Sequence, residues 1–449
     1  DEENIMFEVA LARMQFALTI GFHFLFPPIT IGLIWFILVI ETLGWRRNDR
    51  SYTALGVFFG KIFTITFAVG VVSGIVMSLQ FGTNWGEFTK YSNALFSSIL
   101  LIEIFFAFFI ESTFLGIYLF GRHKVPRWLH WFSIVMLALG ATLSAFWIIA
   151  ANSWMHSPAG YALSNGKVVL TDLGAAIFNK TTFPRFFHTI VSCLVIGAFF
   201  VSGISAYLIA TKKAIVYAKK TLLMGLTAGL VLSVVQVIPF GHMQVLAVAE
   251  TQPANLATME GLYETQSNAP LLVFGIPIEQ PPYITNRIEI PGLLSVMLSG
   301  NRDHVVAGMR SFPEEDRPPH AITFLSFHAM VAIGIAMIVI MASSLILHVT
   351  GKLSVMKPLL YLLAFLSPLP IVATQLGWIT TEVGRQPWII YGLLRTKDAV
   401  SISVSANALI FSLVLIGALY IIIISLYLFL FVRILRKGPP VDKALDVGG

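Results

Sequence analysis

Long apolar stretches alternate with short polar ones along nearly the whole chain. Runs long enough to cross about 30 Å of hydrocarbon at about 1.5 Å per residue fall at 14–42, 55–80, 93–120, 128–150, 186–211, 221–240, 321–348, 355–378 and 402–434. They predict nine membrane-spanning helices, an odd number that puts the two chain ends on opposite sides. The polar links alternate in character. Arg46, Arg47 and Arg50 follow the first span, Arg122, Lys124 and Arg127 the third, and Lys212, Lys213, Lys219 and Lys220 the fifth. Lys352 and Lys357 follow the seventh, and Arg433, Arg436 and Lys437 close the last. The positive-inside rule turns all of these to the cytoplasm, which places the N-terminus outside and the C-terminus inside. The other links, 151–185, 241–320 and 379–401, are longer and rich in Pro, Gly, Asn and aromatics, so function is expected on the outer side.

Composition narrows the class. Of 449 residues 57% are hydrophobic and 12% charged, which excludes a soluble globular enzyme and makes the chain an all-α polytopic membrane protein. The single cysteine, Cys193, lies in an apolar run, so neither an internal disulfide nor a cysteine-ligated zinc or iron–sulfur site can be built. Any metal must be held by His, Met or carboxylate. The start, Asp1-Glu2-Glu3-Asn4, lacks the basic region of a signal peptide, so the first stretch is read as a retained helix. A connection as long as 241–320 is functional or disordered unless it has its own core. Leu262, Tyr263, Phe274, Ile276, Tyr283, Leu293, Leu294 and Phe312 predict a folded one. No internal repeat is visible, which counts against an inverted-repeat transporter.

Charges at membrane depth are costly and mark function by default. Glu103 and Glu111 share the third span, eight residues apart, which on an α-helix is about 80° around and about 12 Å along. They suit successive stations of a proton route, or equally a pair of carboxylates satisfied by neighbouring helices. His23 precedes Pro27 and Pro28, which must disturb the hydrogen-bond ladder near Phe24 and open space beside the imidazole. It and His188, at the start of the fifth span, are either axial ligands of a cofactor or hydrogen-bonded structural residues. The segment from Gly377 to Trp388 gathers Trp378, Glu382, Arg385 and Gln386 at the outer end of the eighth span. Arg385 can grip a carboxylate bidentately or anchor an interfacial aromatic belt. Two further outer patches, Gln80 to Trp85 and Asn152 to Met155, suit the wall around a planar ligand.

Several strings together resemble the large subunit of the cytochrome bd family of quinol oxidases. They are Ala12-Arg-Met-Gln-Phe16 with His23, Gln80-Phe-Gly-Thr-Asn-Trp85, Phe109-Ile-Glu111-Ser-Thr, Ala151-Asn-Ser-Trp-Met155 and Gln252-Pro253. Ile290-Pro-Gly-Leu-Leu294, Asp316-Arg-Pro-Pro319, Gly384-Arg-Gln-Pro-Trp388 and Tyr391-Gly-Leu-Leu-Arg-Thr396 follow in the family's order, so the resemblance covers nearly the whole chain.

The resemblance implies quinol oxidation at the outer face in the 241–320 loop, with dioxygen reduced to water at a high-spin dihaem site. By position, His188 and Met330 would ligate a low-spin haem b, and a His/Met pair raises haem potential. His23 and Glu382 would be axial ligands of the two high-spin haems, a haem b and a haem d or further haem b. Glu103 and Glu111 would deliver cytoplasmic protons, Glu260 and Arg385 would serve the quinol and haem sites, and Trp378 would belong to the cofactor wall. Proton uptake inside and release outside would build proton-motive force without a pump. The implied partners are a second large membrane subunit, small single-span subunits, membrane quinol and dioxygen, with no nucleic acid, in the bacterial cytoplasmic membrane. The chain divides accordingly into 1–240, the loop 241–320, and 321–449.

This sequence departs from the family at two places. Asn255 stands where a lysine is common, and His328 where an arginine is usual, two residues before Met330. Two residues are about 200° around a helix, so His328 is expected to point away from Met330's haem face. The loop resembles the shorter of the family's two loop classes. Two rival readings remain at the level of sequence: a membrane b-type quinol electron-transfer subunit without oxygen chemistry, and a haem-free proton-coupled transporter.

Overall fold

The computed structural model describes residues 2–279, 282–401 and 404–440. Asp1, Pro281, the 402–403 start of the ninth expected span and the 441–449 tail lie outside them. Among the described residues nine helical runs are long and apolar enough to cross a membrane: Met6–Arg47, Arg50–Thr83, Gly86–Phe120, Arg127–His156, Thr182–Ala210, Ile215–Thr251, His320–Val349, Lys357–Gly384 and Ala406–Lys437. All nine expected spans are there, mostly longer than hydrophobicity alone marks, because polar residues at the ends continue the helical hydrogen-bond ladder beyond the apolar stretch. Two extensions matter. The sixth run continues eleven residues past 240, and the eighth continues to Gly384, which carries Glu382 inside its last turn.

Pro239 and Gly241 mark a helix end in sequence, yet the sixth run passes through them. The segment Gln236–Phe240 widens into a π-helix with Pro239 inside it, accommodating a residue that has no N–H to give. A second π-helix, Ile104–Phe108, interrupts the third run. In the first run the ladder tightens at Leu25 and Phe26, whose amides bond three residues back, to Phe22 and His23. The helix restarts at Pro27.

The fifth span is the centre of the bundle, with 83% of its most apolar window buried against 28% for the second span at the same hydropathy. Its approach to the first span is backbone against backbone. A Cβ on Gly32 would stand 2.1 Å from the Cys193 carbonyl oxygen, and one on Gly197 would stand 2.6 Å from the Gly32 carbonyl carbon. Small residues at such crossings let helices gain dispersion contacts where lipid offers no hydrophobic drive.

The long connections gather at one end. Among the described residues they carry three two-stranded antiparallel hairpins, additions to an otherwise all-α fold: Tyr161–Ser164 with Lys167–Leu170, Leu271–Glu279 with Pro282–Ile290, and Trp388–Ile390 with Leu394–Arg395. The largest connection is folded, with a core of Val248, Leu256, Met259, Leu262, Ala269, Leu294 and Val306. Phe274, Ile276 and Tyr283, expected in that core, are exposed on the hairpin. Only the other hairpin face packs, where Leu272 and Ile284 cover Phe324 of the seventh span. Two motifs distant in sequence meet here: Arg395 donates to Asp316 at 2.6 Å and lies over the Trp388 ring.

Candidate haem and quinol site

A cavity of about 780 Å³ opens between the first, fourth, fifth, sixth, seventh and eighth spans, roofed by the loop helix Pro253–Met259 and the start of the long hairpin. His188 and Met330 both line it, from the fifth and seventh spans. The His188 Nδ1 is 3.3 Å from the Phe240 carbonyl oxygen, an acceptor, so Nδ1 carries the proton and Nε2 the lone pair. That carbonyl and the Gln236 amide beside the ring both belong to the π-helix, which therefore shapes the His188 pocket. Across the wall a Cβ on Gly377 would lie 2.7 Å from Met330 Sδ, so the absence of a side chain there leaves room for the thioether.

His23 ends the first helical segment with its ring against Gly74. Its Nδ1 is 3.0 Å from Ser73 Oγ, whose own proton goes to the Val69 carbonyl at 2.8 Å. The hydroxyl must then accept from Nδ1–H, which again leaves the Nε2 lone pair for a ligand. Phe24 and Trp378 stack at 5.3 Å in the cavity wall, joining the turn after His23 to the His188 and Met330 surroundings.

Glu382 sits beside this cavity. Its Oε1 accepts from Asn152 at 2.8 Å and from His156 at 3.2 Å, and its Oε2 pairs with Arg385. Arg385 is 3% exposed, yet its Nε and Nη1 have no partner, and the Nε of buried Arg185 has none either. Buried guanidinium donors left unpaired are costly and call for an anion. Among the described residues no group of three or more His, Cys, Asp or Glu is placed to hold a metal ion. His188, Met330, His23 and Glu382 instead present donors singly or in pairs. That is the donor set a macrocycle needs, since it brings its own equatorial nitrogens and requires only axial protein ligands. The orphaned guanidinium donors fit carboxylate side arms of such a group.

Glu103 and Glu111 differ in placement from the expectation of 80° separation. Ser144 donates to Glu103 at 2.7 Å, and a Cβ on Gly140 would lie 2.8 Å from Glu111 Cγ, so both carboxylates face the fourth span, at positions one turn apart on it. The π-helix between them is the cause. Two α turns take about 7.2 residues, and its wider turn absorbs about one more, which brings positions eight apart onto one face. The fourth span thus contacts Glu111 at Gly140, Glu103 at Ser144 and Glu382 at Asn152 and His156, over a rise of about 24 Å.

The loop residues converge on the same cavity. Asn255 and Glu260 both line it, and Glu260 is 2% exposed with Oε2 unpartnered. Burial pushes the Glu260 carboxyl up to about 8. His328 also lines the cavity together with Met330, against the expectation that it points away. Its Nδ1 lies 3.0 Å from the Phe324 carbonyl and its Nε2 3.1 Å from the Leu272 carbonyl, which ties the seventh span to the hairpin. Sequence reasoning missed Arg185, Ser144 and His156. It also missed Glu41, buried in the first span and paired with Arg122 of the link after the third. Glu41 stands five residues before Arg46, at the end of an otherwise apolar run, a signal that was available.

Residues 11–439 match the family model for cytochrome bd terminal oxidase subunit I. The chain is 37% identical to cytochrome bd ubiquinol oxidase subunit 1 of Bacillus subtilis (strain 168), over 98% of this chain and 96% of the relative. It is 30% identical to cytochrome bd-II ubiquinol oxidase subunit 1 of Escherichia coli (strain K12), over 96% and 97%. Among solved structures, the bd oxidase from Geobacillus thermodenitrificans superposes with a TM-score of 0.91 at 31% identity, covering 97% of this chain and all of that one. By sequence along nearly its whole length and by fold, the chain belongs to the cytochrome bd terminal oxidase subunit I family.

Proposed function

We propose that this chain is the haem-bearing subunit of a terminal quinol oxidase, with quinol oxidised at the loop end and dioxygen reduced to water. One observation carries the reading: His188 and Met330 line a single cavity whose roof is made by Asn255 and Glu260 of the loop. An electron donor held by the loop residues is then next to the group that His188 and Met330 hold. Loop 241–320 is the quinol-binding unit, and the segments 1–240 and 321–449 carry the ligands.

His188 and Met330 would hold a low-spin haem b, and His23 and Glu382 would each hold a high-spin haem, one of type b and the other of type d or b. Such haems, when bound, would supply one-electron chemistry and a site for dioxygen. The protein residues do the rest. Arg385 and Arg185 meet acid side arms with their unpaired N–H groups. Trp378 and Phe24 keep the space between the two ligand regions apolar and free of water. Glu260, neutral below about pH 8, offers a carboxyl O–H or an acceptor oxygen to a quinol hydroxyl. Glu111 and Glu103 carry protons from the cytoplasmic side along the fourth span toward Glu382. Release of quinol protons outside and uptake inside builds proton-motive force without pumping. The chain works with a second large membrane subunit and small single-span subunits in the bacterial cytoplasmic membrane.

The test is the reduced-minus-oxidised spectrum of the purified complex, with and without carbon monoxide. Met330→Leu is expected to remove the low-spin b bands while the protein remains inserted and a carbon-monoxide-reactive signal persists. An unchanged low-spin spectrum in that variant sinks the ligand assignment.

A further inference from the structure

At the end of the fourth span, a hydrogen-bonded chain runs from the loop to Glu382. His156 is completely buried. Gln252, just before the loop helix Pro253–Met259, donates its side-chain nitrogen to the His156 backbone oxygen at 3.0 Å. A carbonyl oxygen only accepts, so the atom facing it is the amide nitrogen and not the amide oxygen. The same nitrogen lies 2.9 Å from His156 Nδ1, which is therefore the unprotonated, accepting nitrogen. The proton of the neutral ring then sits on Nε2 and is donated to Glu382 Oε1 at 3.2 Å. In the other direction, Gln252 Oε1 accepts from Asn255 Nδ2 at 3.2 Å.

Every donor in this series points the same way, from Asn255 through Gln252 and His156 to the Glu382 carboxylate. Hydrogen bonds aligned in series polarise one another, so a change at one end is felt at the other. The free end is Asn255 Oδ1. It is buried, has no partner, and belongs to a side chain that lines the cavity. It rests where a Cβ on Gly384, two residues after Glu382, would stand at 2.1 Å, so the loop helix and the end of the eighth span touch here as well.

We infer that His156 is a positioning residue that transmits occupancy of the loop site to Glu382: a hydroxylic ligand donating to Asn255 Oδ1 strengthens the aligned series and alters the electron density on the Glu382 carboxylate. This rests on the reading of Glu382 as an axial ligand. The ligand class is an aromatic diol such as quinol, and its bis-methyl ether, which has no O–H to donate, is excluded from the effect.

The experiment uses the assembled complex, fully reduced and treated with carbon monoxide. Its high-spin absorption is read while short-chain ubiquinol, short-chain menaquinol and the dimethyl ether of each are added in turn. At least one quinol is expected to shift the band in the native complex and neither ether to do so. The shift is lost in His156→Leu and in Gln252→Leu, and kept in His156→Gln, whose amide again offers one acceptor and one donor. No shift with either quinol in the native complex, an equal shift with the ethers, or a shift that survives in the leucine variants overturns the proposal. Should His156→Leu fail to assemble, Gln252→Leu decides, because it leaves Glu382 its histidine partner. Glu382→Ala separates the two levels. A full carbon-monoxide-reactive signal there overturns the ligand reading and the coupling with it, and loss of that signal upholds the ligand and leaves the coupling to the leucine pair.

Discussion

At the scale of single residues, Glu260 gives the sharpest pH dependence. Its carboxyl is buried without a partner for Oε2 and is pushed up to about 8 by that burial. A carboxyl raised in the folded state stabilises fully below its unfolded value of about 4.3, and that contribution is lost as pH rises through about 8. An infrared band of a protonated carboxyl is therefore expected at neutral pH, disappearing with a midpoint near 8 and missing in Glu260→Gln. Thermal stability of the native protein relative to that variant is expected to fall as pH rises from about 5 to about 8 and to level off above that. No such band, or the same pH trend in the variant, refutes this. His23, Glu103 and Glu111 were legible as candidates because an ionisable side chain in an apolar run stands out, and Glu382 because it belongs to a polar cluster at the end of a span. His156 and Arg185 were not, since a histidine or arginine at the end of a span reads equally well as an interfacial anchor. Only the structure shows both to be buried.

At the scale of elements, hydropathy located all nine spans but carried no information on which of them is central. The second and fifth spans have the same hydropathy, 2.2, and differ threefold in burial. Lipid tails are as apolar as a leucine core, so the two environments select the same average. The small residues of the fifth span, Gly197, Ala198, Ser202, Gly203, Ser205 and Ala206, were the clue. Gly197→Leu is expected to lower the melting temperature of the assembled protein and to abolish haem incorporation, because the new side chain meets Gly32 backbone that has no room to yield. A leucine variant with native melting and haem content shows the crossing to be looser than described. The π-helices were also hidden, as no residue type announces them apart from Pro239. Glu111→Gln is expected to slow oxygen consumption at least tenfold, the general contribution of a positioned proton-transfer group being about 10²–10⁴-fold, with low-spin haem intact. Removing one residue from Ile104–Phe108 is expected to match that loss with both glutamates present, by turning Glu103 away from Ser144. Turnover that survives the deletion means the shared face is not required.

At the scale of the whole molecule, the cavity is a joint product of six spans and a folded loop. The end at which its functional loops gather was anticipated from where the long, lysine-poor links fall, but the hairpin that roofs it was not, because Pro and Gly obscure its two-residue alternation. Arg395 with Asp316 and Asn152 with Glu382 then pin distant motifs together at that end. The spread of the proposed ligand residues has a consequence in time as well as in space. His23 is made early, His188 before the chain is half complete, Met330 and Glu382 only near its end. No partly synthesised chain that stops after the sixth span contains a cavity with two opposed donors. Such a fragment, ending at Thr251, is expected to insert in the membrane and bind no low-spin haem, and adding the rest of the chain as a second polypeptide to restore the spectrum. Loading the cofactor is thus expected to be a late event in the life of the molecule, waiting for the seventh and eighth helices to close a wall that the first, fourth, fifth and sixth have only begun.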